Sequence, residues 1–382
     1  MKSVYAAKLE HLYSLWDQSD CDARLSCFAS NKSHKYAIYG AGKYGARTAA
    51  FFKKQFSTSP VAFIDKKAES GTHMALDGIP LVTPQKLFNE AGDIPIGIAV
   101  TSYLDGTQTS EIRGYLESAG FSGSNVISVL PLDAYPDDYF YMRCIDRAKT
   151  IEVIDLLYDN EQKEQYYAYI YSRIWKTRYL APTYPQTSDY CATDLFQLDK
   201  KDHVLDCGAF TGDTAQLLLD NFGKELNITM FEPDADSYRH LLKWIDNAPY
   251  KNLRAIPKAV GNVNGAIGFL AENSDASRAD STSSHTVDCC RIDDVELSLP
   301  PSFIKMDVEK AELDALKGAK DTIVNHRPIL AISAYHKADD IYELPLFVKS
   351  LVPDYHLFFR KTVGFVISTG FVMYALPPER LL

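Results

Sequence analysis

Two short apolar runs in this chain each lead into a glycine-rich turn and then into a segment with helical spacing. The first lies in "YAIYGAGKYG", residues 36–45, and the second in "VLDCGAFTGD", residues 204–213. A strand, a glycine turn and a helix in that order are typical of parallel sheets covered by crossover helices. Because the pattern occurs twice in a chain of 382 residues, the sequence predicts two α/β, Rossmann-like domains.

The first half of the chain divides into three predicted parts. Residues 1–33 have apolar side chains at helical spacing, which predicts an N-terminal helix. Residues 34–130 predict a small parallel-sheet domain of the nucleotide-binding type. Residues 131–198 are rich in aromatic side chains and lack β-branched runs, which predicts a helical segment that joins or caps the two domains. The strands expected in the small domain are residues 36–39, 61–65, 96–101 and 125–129, with a further strand, turn and helix in "GIPLVTPQKLF".

Residues 199–382 predict a larger domain with seven strands. Those strands are residues 204–206, 228–231, 253–259, 303–306, 329–333, 356–359 and 371–376. The connection between the last two is short and has Gly364 and Gly370 at its ends, so no crossover helix fits and the two strands are expected to pair antiparallel.

Charge and composition limit the partners that we expect. The net charge of −10 and the pI of about 5.4 argue against nucleic acid as a partner. No stretch reaches the roughly 18 apolar residues of a membrane span, and the N-terminus lacks the apolar core of a secretory signal. The seven cysteines contain no C-x-x-C pair, and a reducing cytoplasm is the expected location. The composition does not indicate an oligomeric state.

The first glycine turn combines Gly40, Gly42 and Gly45 with the basic residue Lys43. Glycines allow a ligand to approach the backbone, and the N-terminus of the next helix attracts anions. Asp65 follows the next strand, where an acid commonly binds ribose hydroxyls. This turn therefore predicts an anion or nucleotide site. The ligand could be the NAD(P) of an oxidoreductase, or a nucleotide sugar held by a non-catalytic scaffold.

The second glycine turn carries acids where the first carries a base. Two carboxylates at a helix N-terminus would repel a diphosphate but suit a cationic ligand such as S-adenosylmethionine. Glu232 ends the next strand, where its carboxylate can accept both ribose hydroxyls. The predicted cofactor-binding residues are Asp206, Gly208, Ala209, Phe210, Gly212, Asp213 and Glu232.

Candidate catalytic residues follow two later strands. Asp307 and Glu309 come directly after "FIKM", and His336 comes after "LAISAY". Methyl transfer to a hydroxyl gains from a general base, and such groups belong at the carboxyl ends of the strands. Alternatively, the two acids cap a helix and His336 is structural. A less favoured alternative has Asp307 and His336 bind a divalent metal, as in some related O-methyltransferases. Tyr335 either lines the same pocket or belongs to the core.

Several of these stretches occur together in a known family. From about Asp189 to the C-terminus, "VLDCGAFTGDTAQLLLD", "MFEPDADSYRHL", "AIPKAVGNVNG", "VDCCRIDDV" and "FIKMDVEKAELDALKGAKDTI" resemble the FkbM family of methyltransferases in order and spacing. The resemblance implies a class I methyltransferase sheet with an antiparallel seventh strand. It also implies O-methyl transfer from S-adenosylmethionine to a sugar, glycan or natural product. Lys310 stands where the family motif has glycine, a residue suited to unusual backbone dihedral angles.

A second resemblance concerns the small domain. The stretches "IYGAGKYGARTAAFF", "FIDKKAESGTHMALDGIPLVTPQKL" and "IGIAVTSYL" are similar in order to the Rossmann-like N-terminal domain of PglD-type sugar acyltransferases. This resemblance implies a domain that can hold a nucleotide sugar. The two resemblances together favour a methyltransferase whose N-terminal domain recruits the acceptor.

Overall fold

The computed structural model of the protein describes most of the chain. The described residues are 3–17, 35–70, 78–99, 107–128, 145–175, 190–270, 278–279, 283–361 and 370–382. The helix predicted over residues 1–33 is α1, Val4–Asp17, as far as these residues show it. The predicted glycine Gly364 and the side chain of Lys43 lie outside the described part.

The N-terminal domain contains a five-stranded parallel sheet in the order β3-β2-β1-β4-β5. Described side chains of these strands are buried, as expected for a parallel sheet that helices cover on both faces. The strand and helix pattern predicted for this domain is confirmed. Its strands are β1 Ala37–Tyr39, β2 Ala62–Ile64, β3 Leu81–Val82, β4 Ile96–Ile98 and β5 Val126–Ser128, and its helices are α2 Lys43–Phe56, α3 Pro84–Ala91 and α4 Thr107–Ser118.

The helices that lie between the two domains in the sequence pack on the sheet of the C-terminal half. Helix α5 spans Arg147–Leu156 and α6 spans Asn160–Trp175, and both contact α1. Aromatic side chains make the contact with the sheet: the ring of Tyr169 stacks on that of Phe371 at 3.8 Å. The three helices therefore belong to the hydrophobic core of the C-terminal half.

The C-terminal half contains a seven-stranded sheet, in the order β15-β16-β14-β13-β6-β7-β8. Strand β16 pairs antiparallel with both β14 and β15, which confirms the predicted strand number and the antiparallel last strand. The strands are β6 His203–Cys207, β7 Asn227–Phe231, β8 Leu253–Ile256, β13 Phe303–Met306, β14 Ile329–Ser333, β15 His356–Lys361 and β16 Phe371–Leu376, and the helices are α7 Asp213–Phe222, α8 Ala235–Asn247, α9 Glu312–Lys317, α10 Lys320–His326 and α11 Asp340–Leu351.

One predicted strand was too long. Residues 253–259 form a single strand in the prediction, but β8 ends at Ile256 and a second, four-stranded sheet begins at Ala259. Pro257 explains the break, because proline has no N–H to donate to a ladder. The second sheet contains β9 Ala259–Val260, β10 Gly265–Leu270, β11 Arg278–Ala279 and β12 Thr286–Cys290, in the order β11-β10-β12-β9.

Two further properties of the described residues concern the cysteines and the helices. Cys191, Cys207, Cys289 and Cys290 are buried free thiols. None of the helices in the described part combines the length and the apolar character needed to cross a membrane.

Candidate functional site

The switch point of the seven-stranded sheet lies between β6 and β13, because the connection after β6 runs to β7 on one side and the connection after β13 runs to β14 on the other. We call the carboxyl edge of the sheet at this point the crevice. Ligands of open α/β sheets bind at such a switch point. Both groups of predicted site residues follow strands at this edge.

The glycine turn after β6 closely approaches the loop after β13. Gly208 has a φ of +79°, and a Cβ atom there would lie 1.9 Å from the backbone oxygen of Asp307. Gly212 has a φ of +93°, and its Cβ would lie 2.7 Å from the ring of Trp244. Both positions therefore require glycine. Asp213 is exposed at the first turn of α7.

Glu232 contacts the glycine turn. Its carboxylate oxygens accept hydrogen bonds from the backbone N–H groups of Phe210 and Asp234, each at 2.8 Å. The side chain is only 6% exposed, and this burial raises the pKa of Glu232 to about 7, although the two hydrogen bonds act in the opposite direction. The structure thus brings together the turn and the acid at the end of β7 that the sequence predicted as cofactor contacts.

Asp206 lies beneath the turn rather than on its surface. It is fully buried, and its Oδ1 forms an ion pair at 3.0 Å with Nζ of Lys305 on the neighbouring strand. The same ammonium group donates a hydrogen bond of 2.5 Å to the backbone oxygen of Gly208. Burial lowers the pKa of Lys305, but the carboxylates of Asp206 and Asp307 raise it further, so Lys305 stays charged. Lys305 was not identified from the sequence.

Asp307 is the predicted catalytic residue that is most open to the crevice. Its side chain is 28% exposed. Oδ1 accepts a hydrogen bond of 2.8 Å from Ser333, whose hydroxyl also lies 2.7 Å from that of Tyr190. Burial raises the pKa of Asp307, but Lys305 and His336 lower it more, so the pKa lies below its ordinary value. Asp307 is therefore an ionised carboxylate with one oxygen held in place.

His336 lies beneath the carboxylates of the crevice. It is 1% exposed, its Nδ1 lies 2.6 Å from Oε1 of Glu312, and its Nε2 lies 3.4 Å from Asp307 Oδ1 and 3.2 Å from Glu309 Oε1. Burial lowers the pKa of His336, but the surrounding carboxylates raise it well above its ordinary value. The structure joins His336 to both predicted acids, and the ring is covered by them. The ring of Tyr335 lies 4.3 Å from that of His336.

Two buried acids complete this cluster, and the sequence interpretation missed both. Glu312 is fully buried at the start of α9 and also accepts a hydrogen bond from the backbone N–H of Val308 at 3.1 Å. Asp340, at the start of α11, is 2% exposed, and burial raises its pKa to about 8, with a further contribution from Glu312. Glu312 belongs to the "DVEKAE" stretch of the sequence. Its spacing from Asp307 in that stretch is the feature from which it could have been predicted as a site residue.

The loop after β13 has an unusual backbone. Glu309 and Lys310 have φ values of +48° and +79°, in the left-handed region that favours glycine. Lys310 occupies the position at which the family motif has glycine. The unusual dihedral expected there is present, and this chain adopts it with a lysine.

In the N-terminal domain, the acid after β2 contacts the first glycine turn. Oδ2 of Asp65 accepts a hydrogen bond of 3.1 Å from the backbone N–H of Ala41. Gly40 has a φ of +107°, and a Cβ on Gly45 would lie 1.8 Å from the Gly40 oxygen. Gly42 is the N-cap of α2. This geometry brings Asp65, Gly40, Gly42 and Gly45 together as the sequence spacing predicted.

The fold and the glycine turn with its neighbouring acid define a Rossmann-like protein of the methyltransferase type. Residues 206–361 match the family model described as "Methyltransferase FkbM domain", so the chain carries an FkbM methyltransferase domain. The predicted resemblance is confirmed for that segment. No comparison tests the similarity of the N-terminal domain to PglD-type proteins, which stays a prediction.

A solved structure that is similar over nearly the whole chain supports the fold. The methyltransferase FkbM from Methylobacillus flagellatus KT is 19% identical, with a TM-score of 0.71 over 97% of this chain and 99% of that one. An rRNA methylase from Streptococcus thermophilus is 14% identical over 47% of this chain and 89% of that one, with a TM-score of 0.32. Aeropyrum pernix fibrillarin, solved with S-adenosyl-L-methionine, is 13% identical over 46% of this chain and 66% of that one, with a TM-score of 0.30. No curated protein matches the sequence.

Proposed function

We propose that this protein is a cytoplasmic S-adenosylmethionine-dependent O-methyltransferase that acts on a hydroxyl of a sugar, glycan or natural product. The observation that carries the proposal is the position of Glu232 beside the glycine turn, where Phe210 donates to its carboxylate. A buried acid at the end of the second strand of a parallel sheet suits the two hydroxyls of a ribose. The FkbM domain supports a methyltransferase activity.

The residues of the crevice fit this cofactor. Glu232 would accept the ribose hydroxyls, the glycines would allow close approach of the ligand, and the exposed Asp213 would face its positive charge. When bound, S-adenosylmethionine supplies an electrophilic methyl group. Ser333 already donates a hydrogen bond to Oδ1 of Asp307, so the second carboxylate oxygen is the one that would bind the acceptor hydroxyl. This oxygen would also take up the proton of the hydroxyl.

Calorimetry with S-adenosylhomocysteine tests the cofactor part of the proposal. We expect the wild-type protein to bind it and Glu232→Ala to bind at least about tenfold more weakly, because both ribose contacts are lost. Glu225→Ala, which removes an exposed acid, is the matched control and should bind as the wild type does. Absence of binding to the wild-type protein would refute the proposal.

A transfer assay tests the acceptor part. Protein, S-adenosylmethionine labelled in its methyl group and a panel of sugars, nucleotide sugars and polyphenolic natural products are incubated together, and each product is analysed for one added methyl. We expect transfer to a hydroxyl compound and its loss in Asp307→Asn, with S-adenosylhomocysteine binding retained. Transfer to nitrogen or carbon acceptors alone would contradict the assignment as an O-methyltransferase.

A second ligand is proposed for the N-terminal domain. The hydrogen bond between Asp65 and Ala41 supports a nucleotide at the first glycine turn, and the resemblance noted above favours a nucleotide sugar. Thermal shifts of the full-length protein with UDP-sugars, GDP-sugars and NADH separate the possibilities. We expect a stabilising shift with a nucleotide sugar that is lost in Asp65→Asn. A shift with NADH alone would favour the oxidoreductase alternative, and no shift would leave the domain a scaffold.

A further inference from the structure

Tyr190 and Ser333 form a hydrogen-bonded pair beside Asp307. The two hydroxyl oxygens lie 2.7 Å apart, and Ser333 donates its hydroxyl proton to Oδ1 of Asp307 at 2.8 Å. Because a serine hydroxyl has one proton to donate, the oxygen of Ser333 accepts from the phenol, and the chain of donation runs from Tyr190 through Ser333 to Asp307. We propose that Tyr190 and Ser333 are positioning residues that fix the carboxylate of Asp307 for the acceptor hydroxyl. This inference rests on the proposed function.

Two donors lie near the same oxygen of Asp307. The hydroxyl of Ser333 is 2.8 Å from Oδ1, and Nε2 of His336 is 3.4 Å from it. Without the hydroxyl of Ser333, the carboxylate would turn towards the imidazole, because a hydrogen bond between two charged groups is shorter and stronger than one to a neutral donor. The hydroxyl pair therefore holds Asp307 away from His336 and leaves the second carboxylate oxygen to the acceptor.

The backbone of Tyr190 supports this role. Its φ is +70°, in the left-handed region that bulky side chains rarely adopt. Such strain persists only where the surrounding contacts fix it, and it is characteristic of functional sites. The side chain is buried, and the centre of its ring lies 5.2 Å from Nζ of Lys305, the ammonium group that also pairs with Asp206. The strained conformation thus places the ring over Lys305 and the hydroxyl on Ser333 at the same time.

The chain of hydroxyls ends on a group that faces the crevice. Ser333 is fully buried on β14, and two buried hydroxyls that only satisfied each other could be replaced by apolar side chains at little cost. Here the last acceptor is the carboxylate of Asp307, whose side chain is 28% exposed. Misplacement of a reacting group by about 1 Å can cost about 100-fold in rate. Residues that fix this carboxylate would therefore act on kcat.

Crystal structures of the full-length protein without ligand test the position of Asp307 directly. The wild type is compared with Ser333→Ala and with Tyr190→Phe, which keeps the ring over Lys305 and removes only the hydroxyl. In Ser333→Ala we expect Oδ1 of Asp307 to move from 3.4 Å to about 2.8 Å from Nε2 of His336. In Tyr190→Phe we expect a smaller movement in the same direction. An unchanged position of Asp307 in both variants would overturn the inference.

Methyl transfer to the hydroxyl compounds of the panel described above separates positioning from a structural role. We expect kcat to fall at least about tenfold in Ser333→Ala and about three- to tenfold in Tyr190→Phe, with the KM for S-adenosylmethionine unchanged. The double variant should match Ser333→Ala, because Tyr190 acts through Ser333. Tyr355→Phe is the matched control and should keep its kcat. Its buried hydroxyl donates at 2.8 Å to the backbone oxygen of Pro328, at the opposite end of β14.

The outcomes for this inference and for the proposed function are distinct. Transfer with the same kcat in the wild type and in both single variants would overturn the inference alone. Losses that multiply in the double variant, or an equal loss in Tyr355→Phe, would also overturn it. A wild-type protein that does not bind S-adenosylhomocysteine in calorimetry would refute the proposed function, whereas the ligand-free crystal structures would still decide whether Tyr190 and Ser333 hold Asp307.

Discussion

Asp206 and Lys305 are paired on adjacent strands of the large sheet, and their side chains form a buried ion pair at 3.0 Å. The pair joins β6 to β13 at the point where the crevice opens. Since Lys305 also donates to the backbone oxygen of Gly208, the glycine turn is tied to both strands through one ammonium group. The geometry of the proposed cofactor site therefore depends on a contact that does not itself line the crevice surface.

Removal of the lysine should destabilise the protein. Lys305→Met leaves the buried Asp206 carboxylate without its counter-charge, and we expect a loss of about 3 to 5 kcal/mol in the free energy of unfolding near neutral pH. The loss should be smaller in mild acid, because the pKa of Asp206, already raised by burial, rises further without Lys305 and the group becomes neutral. Urea denaturation at two pH values measures both effects.

Two comparison variants sharpen this test. Lys201→Met removes an exposed lysine and should change the free energy of unfolding by less than about 0.5 kcal/mol. The double variant Asp206→Asn/Lys305→Met removes both charges and should be more stable than Lys305→Met. An equal loss of stability in the single and double variants would show that the ion pair is not the cause.

A single methyl group at Gly208 should disrupt the contact between the two crevice loops. In Gly208→Ala, the new Cβ would meet the Asp307 oxygen at 1.9 Å, so the backbone must move. We expect at least about tenfold weaker binding of S-adenosylhomocysteine in calorimetry. Gly223→Ala is the control, because Gly223 also has a positive φ, +116°, but has no atom within 4 Å of the added Cβ. That variant should lose about 1 to 3 kcal/mol of stability and keep its affinity. Equal affinities in the two variants would contradict the argument.

The left-handed backbone at Lys310 predicts an unusual stability order. We expect Lys310→Gly to be more stable than Lys310→Ala by about 1 kcal/mol, because glycine adopts a φ of +79° without steric cost. The exposed Lys243, within helix α8, provides the opposite case, since there the glycine variant should be less stable than the alanine variant by about 1 kcal/mol. Thermal unfolding of the four variants gives both differences. The same sign at both positions would refute the backbone explanation.

The sequence predicted the parts of this protein that follow from local patterns. Apolar runs predicted the strands of the five-stranded and the seven-stranded sheet, the short link after β15 predicted the antiparallel pair, and spacing placed Glu232 beside the glycine turn. Contacts between distant segments were harder to predict. Lys305 lies within an apolar strand and Glu312 within a helix, and only their packing shows that they meet Asp206 and His336. The reading of β8 failed because Pro257 was not weighed as a strand terminator.

The proposed role of Glu232 predicts a pH dependence of cofactor binding. Burial raises the pKa of this carboxyl to about 7, so below that pH it is mostly protonated in the free protein. Ribose hydroxyls donate more strongly to the ionised carboxylate, and affinity for S-adenosylhomocysteine should therefore rise as pH increases through about 7 and level off above it. Calorimetry between about pH 6 and pH 8.5 measures this rise. Glu232→Gln cannot ionise and should show weaker affinity without the increase, whereas an increase that persists in Glu232→Gln would assign the titration to another group.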